Sequence, residues 1–100
     1  MTTIRYAIAG KNGRMGKMLT EAVLAAPDAA LAAAFDIGDD ADAALANADC
    51  LIDFTRPEGT LQYLEICRRR GIHVVIGTTG FSVEQKLQIE AASKDIPIVF

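Results

Sequence analysis

The amino-acid sequence predicts an α/β fold built on a parallel sheet of about five strands, with helices on both faces. Two observations lead to this prediction. Short apolar runs alternate along the chain with segments in which apolar residues recur at helical spacing. The first run is followed at once by glycines at positions 10, 13 and 16 and then by a helical pattern. Because strands joined through helices pair in parallel by right-handed crossovers, we expect a Rossmann-like arrangement.

Each element is predicted in chain order from its apolar pattern and its end signals. Strands are expected at residues 4–9, 31–35, 50–54, 72–76 and 96–100, the alanine-rich second run being the most ambiguous. Helices are expected at residues 14–26, 39–48, 57–70 and 82–94. Gly71 is predicted to end the third helix, and Thr55-x-x-Glu58 and Ser82-x-x-Gln85 are predicted capping boxes.

Length and composition indicate one domain, residues 1–100, and limit its partners. The net charge of −3 argues weakly against nucleic acid, and no apolar run approaches the roughly 18 residues of a membrane span. Cys50 and Cys67 form no C-x-x-C motif, so we expect reduced thiols and a cytoplasmic protein. The acidic residues 39, 40 and 42 lack an accompanying His or Cys, so no metal site is predicted.

The segment IAGKNGRMG carries the first functional signal. Gly10 permits a tight turn out of the strand, and Asn12-Gly13 can adopt left-handed backbone angles that let a ligand approach closely. Gly16 allows close packing of the following helix on the sheet, and the N-terminus of that helix offers N–H groups to a pyrophosphate. The pattern is G-x-x-G-x-x-G, not the commoner G-x-G-x-x-G. Its strand-to-helix context nevertheless predicts a phosphate-binding loop, with a plain turn as the alternative.

Two charged residues extend this prediction. Asp36 lies 20 positions after Gly16, at the end of the second apolar run. A carboxylate there can accept hydrogen bonds from an adenosine ribose, although a turn or helix-cap role is the alternative. Arg14 stands at a helix start, where a cation is unfavourable for the helix dipole, so we infer a phosphate or ribose contact for it. His73, near the start of a strand at the opposite end from these loops, is expected to be structural.

Four segments of the chain, IAGKNGRMG, DFTRPEGT, VIGTTGF and IPIVF, closely resemble those of the 4-hydroxy-tetrahydrodipicolinate reductase (dihydrodipicolinate reductase) family of lysine biosynthesis. The resemblance covers nearly the whole chain, and the segments DFTRPEGT and VIGTTGF are specific to that family. It implies the nucleotide-binding part of an oxidoreductase that reduces 4-hydroxy-tetrahydrodipicolinate to tetrahydrodipicolinate in diaminopimelate biosynthesis.

The resemblance also implies a cofactor, NADH or NADPH, and a set of residues that bind it. By position these are Gly10, Lys11, Asn12, Gly13, Arg14 and Met15 in the phosphate loop, Asp36 at the adenosine ribose, Phe54, Thr55 and Gly59 beside the cofactor, and Gly77, Thr78 and Thr79 on its nicotinamide side. Ile37 stands where many members carry an arginine, so nothing beside Asp36 offsets its repulsion of a 2′-phosphate. We therefore expect a moderate preference for NADH.

The sequence departs from the family in two further respects. Only residues 37–49 separate the second and third predicted strands, where the family often carries a longer stretch. The family's His-rich catalytic segment, with its lysine and Ser-Gly-Thr, would lie after Phe100, so no catalytic residue is assigned. We expect the nucleotide-binding domain to be incomplete at its C-terminal end and the second, substrate domain to be absent from this chain.

The resemblance implies partners as well: a small dicarboxylate substrate held through the missing domain, and further copies of the chain, since the family forms homotetramers. Two alternatives remain, because fold does not determine function. One is a non-catalytic dinucleotide-sensing or CoA-binding module, and the other is a different two-domain NAD(P)-dependent dehydrogenase. The coding sequence beyond Phe100 would distinguish them.

Overall fold

The structure, a computed structural model, describes residues 3–100. Its strands are β1 (Ile4–Ala9), β2 (Ala29–Phe35), β3 (Cys50–Asp53), β4 (His73–Ile76) and β5 (Ile98–Val99). Its helices are α1 (Arg14–Ala25), α2 (Ala41–Leu45), α3 (Pro57–Arg70) and α4 (Val83–Ala92). One helix therefore separates each strand from the next, as the sequence predicted.

The strands form one sheet in the order β2-β1-β3-β4-β5, and every neighbouring pair is parallel. This confirms the predicted Rossmann-like α/β class. The chain moves from β1 outward to β2 and then crosses back to β3 on the other side of β1. The carboxyl ends of β1 and β3 therefore flank the switch point at which ligands bind in open α/β sheets.

The helices pack on the two faces of the sheet. Successive side chains of a strand point to opposite faces, and in β1 the buried Ala7 and Ala9 belong to the main apolar core while the buried Ile8 does not. On the main-core face, α2 and α4 both contact α3, and the ring of Phe35 meets that of Tyr63 edge-on at 5.1 Å. Helix α1 contacts β1 and β2 and contributes no residue to the main core.

Most element bounds follow the local signals. The observed β1 and α3 have the predicted bounds, and Gly71 ends α3 with a φ of +71°. The capping box at Ser82 and Gln85 is confirmed, so α4 begins at Val83. Helix α2 begins later than predicted because the Asp40 side chain caps it, accepting the Ala43 N–H at 3.1 Å. The ambiguous second run is a strand and begins at Ala29.

Two further expectations concern thiols and membranes. Cys50 and Cys67 are both free, and burial raises the pKa of the fully buried Cys67 thiol to about 12. Such a thiol stays protonated and packs as a small apolar group. Within residues 3–100, no helix has the length and apolar character needed to cross a membrane.

Candidate functional site

The glycine loop joins β1 to α1 at the carboxyl edge of the sheet. The Gly10 and Lys11 N–H groups both donate to the Phe35 carbonyl, at 2.9 and 3.1 Å, which ties the loop to the end of β2. Gly10 has a φ of +95°, so the predicted tight turn at Gly10 is confirmed. The left-handed conformation predicted for Asn12-Gly13 is wrong: Gly13 has a φ of −82°, and no non-glycine residue in the described range has a positive φ.

Gly16 permits a close contact that no other residue would allow. A Cβ atom built on Gly16 would lie 1.9 Å from the Gly10 carbonyl oxygen and 2.8 Å from the Lys11 Cα. Close packing at Gly16 was predicted against the sheet, and the structure places it against the backbone of the glycine loop itself. The first turn of α1 and the loop therefore form one tightly packed unit.

A cleft of about 280 Å³ opens beside this unit at the switch point. Three loops meet there, those that follow β1, β3 and β4, and they supply the lining residues Gly13, Arg14, Met15, Gly16, Phe54, Thr55, Gly77, Thr78 and Thr79. Eight of these nine were predicted from the sequence; the ninth, Gly16, was predicted only as a packing residue. The other predicted site residues, Gly10, Lys11, Asn12, Asp36 and Gly59, lie outside the cleft lining.

The first turn of α1 faces this cleft without a neutralising group. No side chain caps the helix at Gly13, and no acidic residue stands in its first turn. Arg14 is exposed and forms no ion pair within the described part of the chain. The positive end of the helix dipole and a guanidinium therefore act together at one place, which suits a bound anion.

Asp36 borders the glycine loop on the β2 side. Its Oδ2 accepts the Asn12 N–H at 3.0 Å, and its Oδ1 accepts the Ile37 N–H at 2.8 Å. Each oxygen keeps a further lone pair for a ligand hydroxyl. Lys11 Nζ lies 3.7 Å from Asp39 Oδ2, so the nearby lysine is paired with a second carboxylate. Over residues 3–100, no group of three His, Cys, Asp or Glu side chains could hold a metal ion.

Phe54 and two glycines shape the far side of the cleft. A Cβ atom on Gly77 would lie 2.2 Å from Cε1 and Cζ of Phe54, so the phenyl ring rests directly on the Gly77 backbone. Gly59 is buried within α3, where a Cβ atom would lie 3.2 Å from Thr55 Oγ1. Gly77 thus makes room for Phe54, and Gly59 makes room for Thr55.

Asp53 is a residue of this region that the sequence analysis missed. It is fully buried at the end of β3, and the hydroxyls of Thr55, Thr60 and Thr78 all donate to its carboxylate. Burial raises the pKa of the Asp53 carboxyl above its ordinary value, and these hydrogen bonds oppose the rise. The signal that could have revealed it was a carboxylate at the end of an otherwise apolar strand, because a buried charge needs partners.

The same network explains why the predicted capping box at Thr55 and Glu58 is wrong. The N-cap of α3 is Arg56, and no side chain caps the helix. The Thr55 hydroxyl instead donates to Asp53 at 2.6 Å. Pro57 at the first helical position and Glu58 in the first turn suit the start of α3 without a cap.

Together, the parallel sheet, the glycine loop at its switch point and the uncapped α1 place the chain among Rossmann-like nucleotide-binding domains. Residues 4–100 match the family model described as "Dihydrodipicolinate reductase, N-terminus". The chain belongs to this family.

Curated relatives agree with this assignment. A 4-hydroxy-tetrahydrodipicolinate reductase from Dechloromonas aromatica (strain RCB) is 45% identical over 122 residues, which cover 100% of this chain and 46% of that protein. A relative of the same name from Burkholderia mallei (strain SAVP1) is 50% identical over 122 residues, with the same shares of each chain, 100% and 46%. The chain thus spans less than half the length of these relatives.

Solved structures show the same fold. The dipicolinate-bound dihydrodipicolinate reductase from Paenisporosarcina sp. TG-14 matches with a TM-score of 0.78 at 21% identity, over 92% of this chain and 43% of that one. The DAP dehydrogenase from C. glutamicum in complex with DAP matches with a TM-score of 0.62 at 18% identity, over 96% and 32%. At these identities the likeness concerns the fold alone.

Proposed function

We propose that the chain binds NADH or NADPH at its carboxyl-edge loops and is the nucleotide-binding part of a reductase acting on 4-hydroxy-tetrahydrodipicolinate in lysine (diaminopimelate) biosynthesis. The observation that carries the proposal is the uncapped N-terminus of α1, which opens with Arg14 onto a cleft of about 280 Å³. Family membership supports a pyridine nucleotide in general and favours this function over a sensing or CoA-binding module. The cofactor, when bound, supplies the hydride.

The residues at the cleft suit such a ligand. The backbone N–H groups of Arg14 and Met15 and the Arg14 guanidinium bind the pyrophosphate, while the Gly13 N–H donates to the Gly10 carbonyl at 3.1 Å and holds the turn that presents them. Asp36 accepts hydrogen bonds from the adenosine ribose beside Lys11 and Asn12. On the other side of the glycine loop, the remaining proposed contacts with the cofactor come from Phe54, Thr55, Gly59, Gly77, Thr78 and Thr79.

We propose a moderate preference for NADH over NADPH. Asp36 would face the 2′-phosphate of NADPH, and Ile37 brings no cation to offset the repulsion. Two unit charges about 4 Å apart cost on the order of 4 kcal/mol at an effective dielectric near 20. Arg14 and Lys11 are exposed and can turn toward the phosphate, which keeps the preference moderate.

Substrate binding and proton donation are assigned to a part of the protein outside this chain. His73 begins β4 and so lies at the amino edge of the sheet, opposite the cleft. Arg68 and Arg70, at the end of α3, are paired with Asp95 and Asp42. We propose that residues 1–100 form the nucleotide-binding domain, that a second domain holds the dicarboxylate substrate, and that the protein works as a cytoplasmic homo-oligomer.

The test is NADH oxidation with freshly generated hydroxytetrahydrodipicolinate, measured for the full product of the coding sequence and for residues 1–100 alone. We expect turnover by the full product, and weak NADH binding without turnover by the 100-residue chain. A full product that binds NADH but does not oxidise it with this substrate contradicts the proposed reaction. Substrate-dependent oxidation by residues 1–100 alone contradicts the assignment of catalysis to another domain.

A further inference from the structure

Asp53 gathers three threonine hydroxyls at the end of β3. Thr55 Oγ1 lies 2.6 Å from Oδ1, Thr78 Oγ1 lies 3.0 Å from Oδ2, and Thr60 Oγ1 also contacts Oδ2. The strand register produces this arrangement. Asp53 pairs with Ile76, so Thr55 and Thr78, each two residues further along, leave neighbouring strands side by side.

The network determines where the hydroxyl protons point. When Asp53 is ionised its carboxylate can only accept hydrogen bonds, and each of the three hydroxyls has one proton to donate. The Thr55 proton therefore goes to Asp53, since its other acceptor, the Arg56 carbonyl, is 3.4 Å away. Thr78 Oγ1 donates to Asp53 and accepts the Thr55 N–H at 2.9 Å. Within the described range no buried side-chain nitrogen or oxygen lacks a partner, so the network is closed.

Thr55 links this network to the cleft. Thr78 is only 5% exposed and both donates and accepts within the network, whereas Thr55 is half-buried, lines the cleft, and accepts no hydrogen bond at Oγ1 from any residue in the described range. We propose that Asp53 is a positioning residue: it holds the Thr55 proton inward, so that the Thr55 oxygen acts only as a hydrogen-bond acceptor toward the ligand. This end of the cleft then selects a ligand group that donates a hydrogen bond, from an N–H or an O–H.

The strand order indicates which part of the ligand meets Thr55, an inference that rests on the proposed function. Asp36 follows β2 on one side of the glycine loop, and Thr55 follows β3 on the other. With the adenosine at Asp36 and the pyrophosphate at α1, the nicotinamide half lies toward β3 and β4. That half donates from its ribose hydroxyls and from its carboxamide N–H groups, and we expect the Thr55 oxygen to accept from the carboxamide, which the comparison below separates from a ribose contact.

The experiment compares NADH with reduced 3-acetylpyridine adenine dinucleotide, in which a methyl group replaces the amide nitrogen and the carbonyl is kept. Dissociation constants are measured by fluorescence titration of the full product of the coding sequence. Contacts that both dinucleotides make contribute equally to the two dissociation constants and therefore cancel in their ratio. We expect about a fivefold preference for NADH, as one hydrogen bond gives. In Asp53→Asn we expect a ratio near one: the amide oxygen keeps the Oδ2 position, where two hydroxyls donate, so the amide nitrogen takes the Oδ1 position, donates to Thr55 Oγ1 and turns the Thr55 proton outward.

Two variants make the comparison specific. Asp49→Asn makes the same chemical change just before the opposite end of β3, and the fivefold ratio should persist there. Thr55→Val keeps the shape of the side chain and should also reduce the ratio to one, which tests the proposal even where Asp53→Asn does not fold. ADP-ribose, which lacks the nicotinamide, should bind the wild type and Thr55→Val equally.

The outcomes separate this inference from the proposed function. A wild-type ratio near one, or a persistent fivefold ratio in folded Asp53→Asn or Thr55→Val, overturns the role of Asp53. If either of these results is found and ADP-ribose binds the wild type, the proposed nucleotide site is retained and only the role of Asp53 is rejected. Failure of the wild type to bind ADP-ribose overturns the proposed nucleotide site and this inference with it.

Discussion

Gly13 offers a direct test of the phosphate loop, because a side chain there is compatible with the fold but not with a closely bound ligand. A Cβ atom on Gly13 would approach only the Gly10 carbonyl oxygen, at 3.5 Å, which is ordinary van der Waals contact. The φ of −82° is open to any residue. Gly13→Val should therefore fold, while its two methyl groups occupy the place where pyrophosphate oxygens approach the first turn of α1.

The size of the effect follows from the contacts that would be lost. A hydrogen bond from a backbone N–H to a charged acceptor contributes about 1.5–3 kcal/mol, so losing one weakens NADH binding roughly 10- to 150-fold. Valine at a helix N-cap is less favourable than glycine and costs at most about 1 kcal/mol of stability. The loss of affinity should thus exceed any loss of folding free energy.

NADH affinity is measured by fluorescence titration, and the fold by circular dichroism and thermal unfolding. The matched control is Ala25→Val, at the exposed C-terminal end of the same helix, which adds the same β-branched side chain away from the cleft. Its NADH affinity should equal that of the wild type. Wild-type affinity in a folded Gly13→Val variant would refute the assignment of this loop to phosphate.

Further predictions concern packing, cofactor choice and pH. Gly16→Ala places a Cβ atom 1.9 Å from the Gly10 carbonyl oxygen and should lower the Tm by at least about 4 °C, so an unchanged Tm would contradict the packing at Gly16. Asp36→Ala should weaken NADH binding at least about tenfold and reduce the difference between the NADH and NADPH affinities. Tighter binding of NADPH than of NADH by the wild type, with unchanged affinities in Asp36→Ala, would disprove the ribose role. Hydrogen bonds and charge from Arg5 lower the pKa of Asp49, so this pair stabilises the fold above the unfolded pKa near 3.9 and loses that contribution as pH falls through the lower folded value. Asp49→Asn should therefore flatten the decline of Tm below about pH 4, and an identical decline would contradict this.

The sequence alone determined those features that depend on neighbouring residues. Gly71 was correctly predicted to end α3, because glycine reaches the positive φ of a helix end, and the start at residue 57 was also correct although the capping box predicted there does not form. Gly10 was identified as the turn for the same conformational reason. The alternation of runs was enough to predict the parallel sheet, since strands joined through helices have few other ways to pair.

Only the tertiary structure decided how side chains from separate strands share their hydrogen bonds. From its neighbours alone, Thr55 is predicted to be a helix cap. In the structure its hydroxyl lies beside the buried Asp53 carboxylate at the end of β3, and this hydrogen bond to a charged group is stronger than a capping contact. Gly16 reads as a contact with the sheet, yet it touches the loop at Gly10, because the turn folds back under α1. Asp53 has no local signature beyond its charge, because its three partners lie at separations of 2, 7 and 25 residues.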